Sequence, residues 1–369
     1  MKNEEGKKKT RNCIGTESEG TALSLSFYVP DYERVGEMQK DLDKRAYPEN
    51  GSIFIIVLWA LLLLGSLALA VGAYVQPLLR VTSRFQQNTE RFFMAKAGAV
   101  KTAVEMQKYA TNSWQCLNEP WANDTNLFRE ISLGAGYFSL QCPVSDSDSE
   151  RCGLIDEERK ININTASSEV LQNCLVLAGG LSSSKAADIA AAIIDWRDAD
   201  DAETPGGAES RYYEFLTPPY RCKNGNFETM EELCLVKGVT PELFSIMSDY
   251  FTVYGRGKVN INTACTEILK SVGMGDDLTG KVIDFRKGED GKPGTDDDGI
   301  FRNAGQITDL LSKEKGLTAE KMQQITDCLD VRSECFSGRS LGRLTGKQSL
   351  TVIDFVVDCR KCFWYWREH

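Results

Sequence analysis

From Ser52 to Leu79 the chain carries no charged residue, and Ile53 to Val75 (IFIIVLWALLLLGSLALAVGAYV) is almost wholly apolar. As a helix rising 1.5 Å per residue, this stretch reaches roughly 34 Å, enough to cross a hydrocarbon core of ~30 Å. Core helices of soluble proteins rarely run so long without interruption. A cleaved secretory signal has a shorter apolar run and an A-x-A site after it, and neither is present. The chain is read as a single-pass membrane protein.

Charge leaves the orientation nearly tied, because Lys40, Lys44 and Arg45 precede the span while Arg80, Arg84 and Arg91 follow it. Cysteine usage breaks the tie. Eleven of the 12 cysteines follow the span, from Cys116 to Cys362. That density suits an oxidising compartment in which disulfides persist, although buried reduced thiols account for the same count. The N-terminus is therefore placed in the cytoplasm and the bulk of the chain outside it.

Function classes fall away quickly. With 42% apolar and 26% charged residues among 369, the chain has the composition of a folded protein. A net charge of −10 opposes a broad contact with nucleic acid. The single histidine, His369, is the last residue, which leaves no base for a Ser–His or Cys–His pair and no His-rich metal site. No catalytic constellation is found, and the chain is read as a non-enzyme.

Residues 1–50 are polar and without periodicity. Beyond the span, VTSRFQQNTERFFMAKAGAVKTAVEMQKYA lacks proline, so the same helix is expected to continue to about Thr111. Residues 112–159 are rich in Trp, Cys, Gly and Asp, with a strand expected at Gly136–Cys142. An internal repeat follows. KININTASSEVL (160–171) returns as KVNINTACTEIL (258–269), and EELCLVKGVTPELFSIMSDY (231–250) matches TDLLSKEKGLTAEKMQQITD (308–327), the second copy being about 20 residues shorter. Each copy is expected to give a short strand, then a helix capped by Asn164 or Thr165 (Asn262 or Thr263), with Glu169 or Glu267 in its first turn. SLTVIDFVVDC and FWYWRE are read as closing strands.

Four features carry a resemblance: GSIFIIVLWALLLLGSLALA, the block Ile193–Phe244, the paired N-I-N-T-A segments, and the W-R-E ending at Trp366–Glu368. The block IIDWRDADDAETPGGAESRYYEFLTPPYRCKNGNFETMEELCLVKGVTPELF matches D-W-R-D-x-D, G-A-E-x-x-Y-Y, P-P-Y and E-L-x-x-V-x-G-V-T elements. With these the chain resembles the minor pseudopilin K family of type II secretion (general secretion pathway protein K). The resemblance implies an α+β, type IV pilin-like fold, in which a long N-terminal transmembrane helix packs on a small antiparallel sheet. A large α-helical domain of two related repeats is inserted between sheet elements. The division is then a cytoplasmic leader at 1–51, span and stalk at 52–111, a pilin-like part at 112–159, the insert at 160–330 (repeats 160–257 and 258–330), and strands of the sheet at 331–369.

The resemblance also implies roles. Prepilin peptidase would cut between Gly51 and Ser52, and methylation belongs to that maturation. The 50-residue leader is longer than usual, and a start at Met38 would give MQKDLDKRAYPENG, a leader of ordinary length. Family members help to start the pseudopilus in the inner membrane; partners are other minor pseudopilins, the inner-membrane secretion platform and secreted substrates. Most pilin-like subunits carry Glu as the fifth mature residue, and here that position is Ile56. A carboxylate at membrane depth costs roughly 2.5–3.5 kcal/mol and needs a partner. Ile56 therefore fits a subunit at the tip, and equally a plain lipid-facing residue. N-I-N-T-A segments also occur in helix-hairpin-helix proteins of DNA uptake, so a membrane-anchored DNA receptor is the competing function. Without residues 1–51 the chain has 34 basic and 43 acidic side chains, which opposes it.

Two acidic clusters are candidates for Ca²⁺, which takes six to eight oxygen ligands. One is Asp195, Asp198, Asp200 and Asp201; the other, in EDGKPGTDDDG, is Asp290, Asp296, Asp297 and Asp298 among glycines. Neither has EF-hand spacing, and a solvated acidic turn is the alternative. Disulfide candidates are Cys142, Cys152, Cys222, Cys234, Cys328, Cys335, Cys359 and Cys362. The last four formally suffice for a zinc site, with disulfides preferred in this compartment.

Overall fold

The apolar span forms the first part of one helix, α1 (Gly51–Met106), of 56 residues. The computed structural model describes residues 51–141, 152–314, 316–360 and 362–369; the leader and Cys142 lie outside them. By length and composition α1 can cross a membrane. Within residues 53–78 its large side chains, among them Phe54, Ile56, Trp59 and Leu69, are all exposed.

The remaining chain, from Leu79, has its own core. After the short helix α2 (Thr125–Phe128), five strands form the main path of an antiparallel sheet: β1 (Ile131–Leu133), β2 (Gly136–Gln141), β8 (Cys335–Leu344), β9 (Leu350–Asp358) and β10 (Phe363–Glu368), in that order. β3 (Ile155–Asp156) pairs with the start of β8, Ile155 opposite Ser337. The sheet is thus built from segments on both sides of residues 160–330. Small residues on α1 let the sheet come close: Ala95, Ala99 and Ala103 recur every four residues and are buried. At Gly342 an added Cβ would sit 2.1 Å from the Arg91 carbonyl oxygen, and at Gly98 it would meet Ser340 and Phe138. Ser340 Oγ donates to the Ala95 carbonyl at 2.7 Å.

Residues 160–330 form the helical insert. Its first repeat opens with β4 (Ile161–Asn162), continues with α3 (Ser168–Leu177) and α4 (Ser183–Arg197), and ends with β5 (Phe251–Thr252), parallel to β4. The second runs β6 (Val259–Asn260), α7 (Thr266–Ser271), α8 (Asp276–Arg286), α9 (Ala304–Ser312), α10 (Ala319–Cys328) and β7 (Leu329–Asp330), parallel to β6. Between them, α5 (Ser210–Tyr213) and α6 (Pro241–Met247) complete the first repeat.

The helix caps differ from expectation. Ser167, not Asn164 or Thr165, caps α3, its hydroxyl accepting from Val170 N at 3.3 Å. Cys265, not Asn262 or Thr263, precedes α7. The asparagines have other work. Asn164 clasps Phe227 through both backbone groups, Nδ2 donating to its carbonyl at 3.0 Å and Oδ1 accepting from its N–H at 2.8 Å. Asn262 clasps Phe301 in the same way, at 2.9 Å each. Each turn is also pinned by an arginine. Arg197 donates to the carbonyls of Ile163 and Ala166, and Arg286 to those of Ile261 and Ala264.

Candidate metal centre

α4 ends on Asp195-Trp196-Arg197, and Asp198 is its C-cap. Because Arg197 is turned toward the N-I-N-T-A turn, Asp195 and Asp198 point toward the loop that follows. The loop returns through Thr204-Pro205-Gly206-Gly207-Ala208 and delivers Glu209, the N-cap residue of α5. One carboxylate oxygen from each of Asp195, Asp198 and Glu209 lies within 4.8 Å of the others. Gly207 makes this approach feasible, since a Cβ there would lie 2.1 Å from Asp195 Oδ2. Lys237 Nζ braces the loop from outside, donating to the Gly207 carbonyl at 2.7 Å.

Three carboxylates this close repel one another unless something offsets the charge. Asp195 accepts from Thr204 N at 3.2 Å. Asp198 Oδ1 and both Glu209 oxygens are buried without a regular hydrogen-bond partner, the Cys222 thiol approaching Glu209 as a weak donor. Burial, then the charges of Asp195 and Asp198, push the Glu209 carboxyl up to about 7. Burial likewise raises Asp198, with Asp200 and Asp195 adding to it. Trp196, on the same helix end, is buried edge-to-face on Tyr213 at 5.2 Å. An all-oxygen, carboxylate-rich donor set fits a hard cation such as Ca²⁺ and does not fit zinc, whose structural sites use Cys and His.

Of the sequence candidates, the structure brings Asp195 and Asp198 together and leaves Asp200 and Asp201 outside. Asp200 accepts from Ala202 N at 2.8 Å, and Asp201 from Asn224 Nδ2 at 2.9 Å, both at the surface. Glu209 was not among them. Its signal is the glycine pair Gly206-Gly207, one residue upstream across Ala208, which lets a backbone approach a carboxylate.

The second acidic loop is organised differently. Asp297 Oδ2 accepts from the backbone N–H groups of Glu289 and Asp290 at 2.6 and 3.0 Å. Asp290 accepts from Lys292 N, and Asp298 from Gly294 N, each at 2.7 Å. Asp296 is exposed. The loop neutralises its own carboxylates, and these amide contacts hold Asp297 below the usual carboxylate range.

Cys152, Cys222, Cys335 and Cys359 are buried, Cys328 is half-buried, and Cys234 and Cys362 are exposed. Gly51 and Ser52 begin α1, and Ile56 lies on its exposed surface.

Residues 154–256 match the family model described as type II secretion system (T2SS), protein K. Over 82 residues the chain is 40% identical to type II secretion system protein K of Aeromonas hydrophila, covering 21% of this chain and 25% of the relative. It is 34% identical over 86 residues to the protein of that name from Pectobacterium carotovorum subsp. carotovorum, covering 23% and 26%. The matched stretch thus spans about a quarter of each relative. Among solved structures, a chain of the GspK-GspI-GspJ complex from the enterotoxigenic Escherichia coli type 2 secretion system superposes with a TM-score of 0.59 at 17% identity, covering 79% of this chain and 99% of that one. Family model, relatives and fold agree: residues 154–256 are similar to the type II secretion system protein K domain, on a chain with a pilin-like fold.

Proposed function

We propose that this protein is a minor pseudopilin that sits at the tip of the type II secretion pseudopilus and helps to start its assembly for protein export. The observation that carries the reading is the protein K domain at 154–256, placed between segments of a pilin-like sheet. Prepilin peptidase cuts between Gly51 and Ser52 and methylates the new terminus. α1 anchors the chain in the inner membrane with the folded part in the periplasm. Ile56, in the fifth mature position, offers no carboxylate to a subunit above, and the insert fills the space such a subunit would need. The partners are the other minor pseudopilins, counterparts of the GspI and GspJ found with the related chain, through a contact that terminates instead of propagating. The inner-membrane platform and exported proteins complete the set.

Asp195, Asp198 and Glu209 hold a Ca²⁺ ion in the first repeat, and the ion offsets their charge. Labelling along isolated filaments tests the tip assignment. Signal confined to one end is the expected result, and signal spaced regularly down the filament overturns it. N-terminal sequencing of the membrane-extracted protein tests processing, with Ser52 expected as the first residue.

A further inference from the structure

Among the described residues from Leu79 onward there are two apolar cores with no residue in common. One lies within the insert, from Ile161 to Val331, and the other lies between α1 and the sheet, around Met106, Trp121, Phe138, Phe336 and Phe355. Between them runs a tripeptide of three buried acids, Asp156-Glu157-Glu158, each at most 3% exposed.

Each acid ties several parts together. Asp156 Oδ2 accepts from Asn260 Nδ2 at 3.1 Å and Thr263 Oγ1 at 2.5 Å, both in the second repeat, and from Ser333 Oγ at 2.7 Å, just before β8. Glu157 accepts from Thr252 Oγ1, in the last strand of the first repeat, and from Ser337 Oγ in β8, each at 2.6 Å; Lys160 pairs with it at 3.0 Å. Glu158 accepts from Arg256 N, between the repeats, at 3.1 Å, and from the N–H groups of Glu334 and Cys335 where β8 begins. Gln115 closes the ring, its carbonyl accepting from Asn260 Nδ2 at 3.1 Å and its Oε1 from Ser333 N at 2.6 Å. At Gly255 an added Cβ would stand 2.5 Å from Glu158 Cγ, so the chain between the repeats lies directly on this cluster.

Domains that meet over modest polar surfaces move against each other by default. Here the contact is polar, but its acceptors are ionisable, buried and shared among donors from both repeats and from the sheet. Charge-assisted bonds are the stronger kind, and losing one acceptor strands several buried donors at once. We propose that Asp156-Glu157-Glu158 is a latch that locks the inserted domain to the pilin-like sheet, so that two separate cores move and unfold as one body. The burial cost is visible in the carboxyls. Burial raises Asp156, and burial together with Asp156 pushes Glu158 up to about 7. Glu157 is held low against its burial by Lys160, Ser337 and Thr252.

The test uses the full chain in detergent with Ca²⁺ present throughout, so that the metal centre is not the variable. Calorimetry and limited proteolysis are the readouts. The native protein should give one unfolding transition and resist cleavage at the two chain crossings, 157–160 and 330–334. Asp156→Ala should split the melt into two transitions separated by roughly 5 °C or more and release the insert as a protease-resistant fragment. Thr263→Ala and Ser333→Ala each remove one donor and leave the acids in place, and combined they should produce the same splitting to a smaller extent. If Asp156→Ala does not fold, the Thr263→Ala/Ser333→Ala double variant decides on the same criteria. Two transitions in the native protein overturn the latch. So does a single, merely lower transition with no released fragment in the variants.

Discussion

The two repeats of the insert share a skeleton and differ in their chemistry. Both clasp a distant phenylalanine backbone with an asparagine, and both pin the N-I-N-T-A turn with an arginine from the second helix after it. Fifteen fewer residues separate Arg286 from Phe301 than separate Arg197 from Phe227. In the first repeat the additional chain carries Gly207 and Glu209 back onto Asp195 and Asp198. In the second, the residue after the arginine is Lys287, and the short loop folds its aspartates onto its own amides. Buried carboxylates without donors call for a cation; exposed carboxylates already holding amides do not. A repeated scaffold thus keeps its backbone locks while its loops, differing in length, set their carboxylates differently.

The shared skeleton is the place to break the comparison hardest. Arg286 is 8% exposed and Arg197 is more open, and burial lowers the basicity of both, Arg286 to about 10. Arg286→Ala leaves two carbonyls unanswered and should cost about 3–5 kcal/mol by denaturant titration, with Arg197→Ala costing less. Equal or reversed losses would mean that the locks are not equivalent.

The loops come next. With Ca²⁺ at about 100 times its dissociation constant, the ion should add roughly 2.7 kcal/mol of stability. Chelation should therefore lower the melting temperature, with recovery on adding Ca²⁺ but not Mg²⁺. Glu209→Gln should abolish that response and Asp297→Asn should leave it intact. The reverse pattern would move the ion to the second loop, and no response together with no metal by elemental analysis would remove it altogether.

The acid–base behaviour sharpens the contrast further. In chelator, Glu209 titrates at about 7 in the folded chain and in the ordinary carboxylate range when unfolded, so the folded state binds its proton more tightly. Stability should fall as pH rises between those values, and Glu158 contributes with the same sign. Glu209→Gln should flatten that slope in part. With calcium the dependence weakens, because the ion competes with the proton. Calorimetric titration should show Ca²⁺ affinity falling up to tenfold per pH unit below about 7.

The smallest effect belongs to Asp297. Replaced by Asn, it gives up charge-assisted bonds to two amides at an exposed site, and denaturant titration should show a small loss of stability, less than for any change above and independent of calcium.

Much of this was legible in the residues. The uncharged run at 52–79 dictates a long helix, and the repeated N-I-N-T-A segments announce a duplicated unit. The caps were misassigned because Asn164 and Asn262 have good capping chemistry, and the partners that claim them instead lie 63 and 39 residues away in sequence. Glu209 was missed because it is separated from Asp195 by a loop whose path only its glycines hint at. β8 has no clear alternation, since Gly338 and Gly342 stand where it packs against neighbours too close for a side chain. Long-range convergence leaves little local trace; periodicity and repetition do.

The fit between α1 and β8 has a mechanical consequence. With Gly342 pressed on the backbone at Arg91 and Ala95, and Gly98 seated on Phe138, the helix from 91 to 98 is keyed to the sheet like a shaft in a slotted hub. It can neither rotate nor slide by a residue without driving a side chain into backbone. Thrust or torque reaching that segment is handed on to the sheet as displacement, with no slack to absorb it.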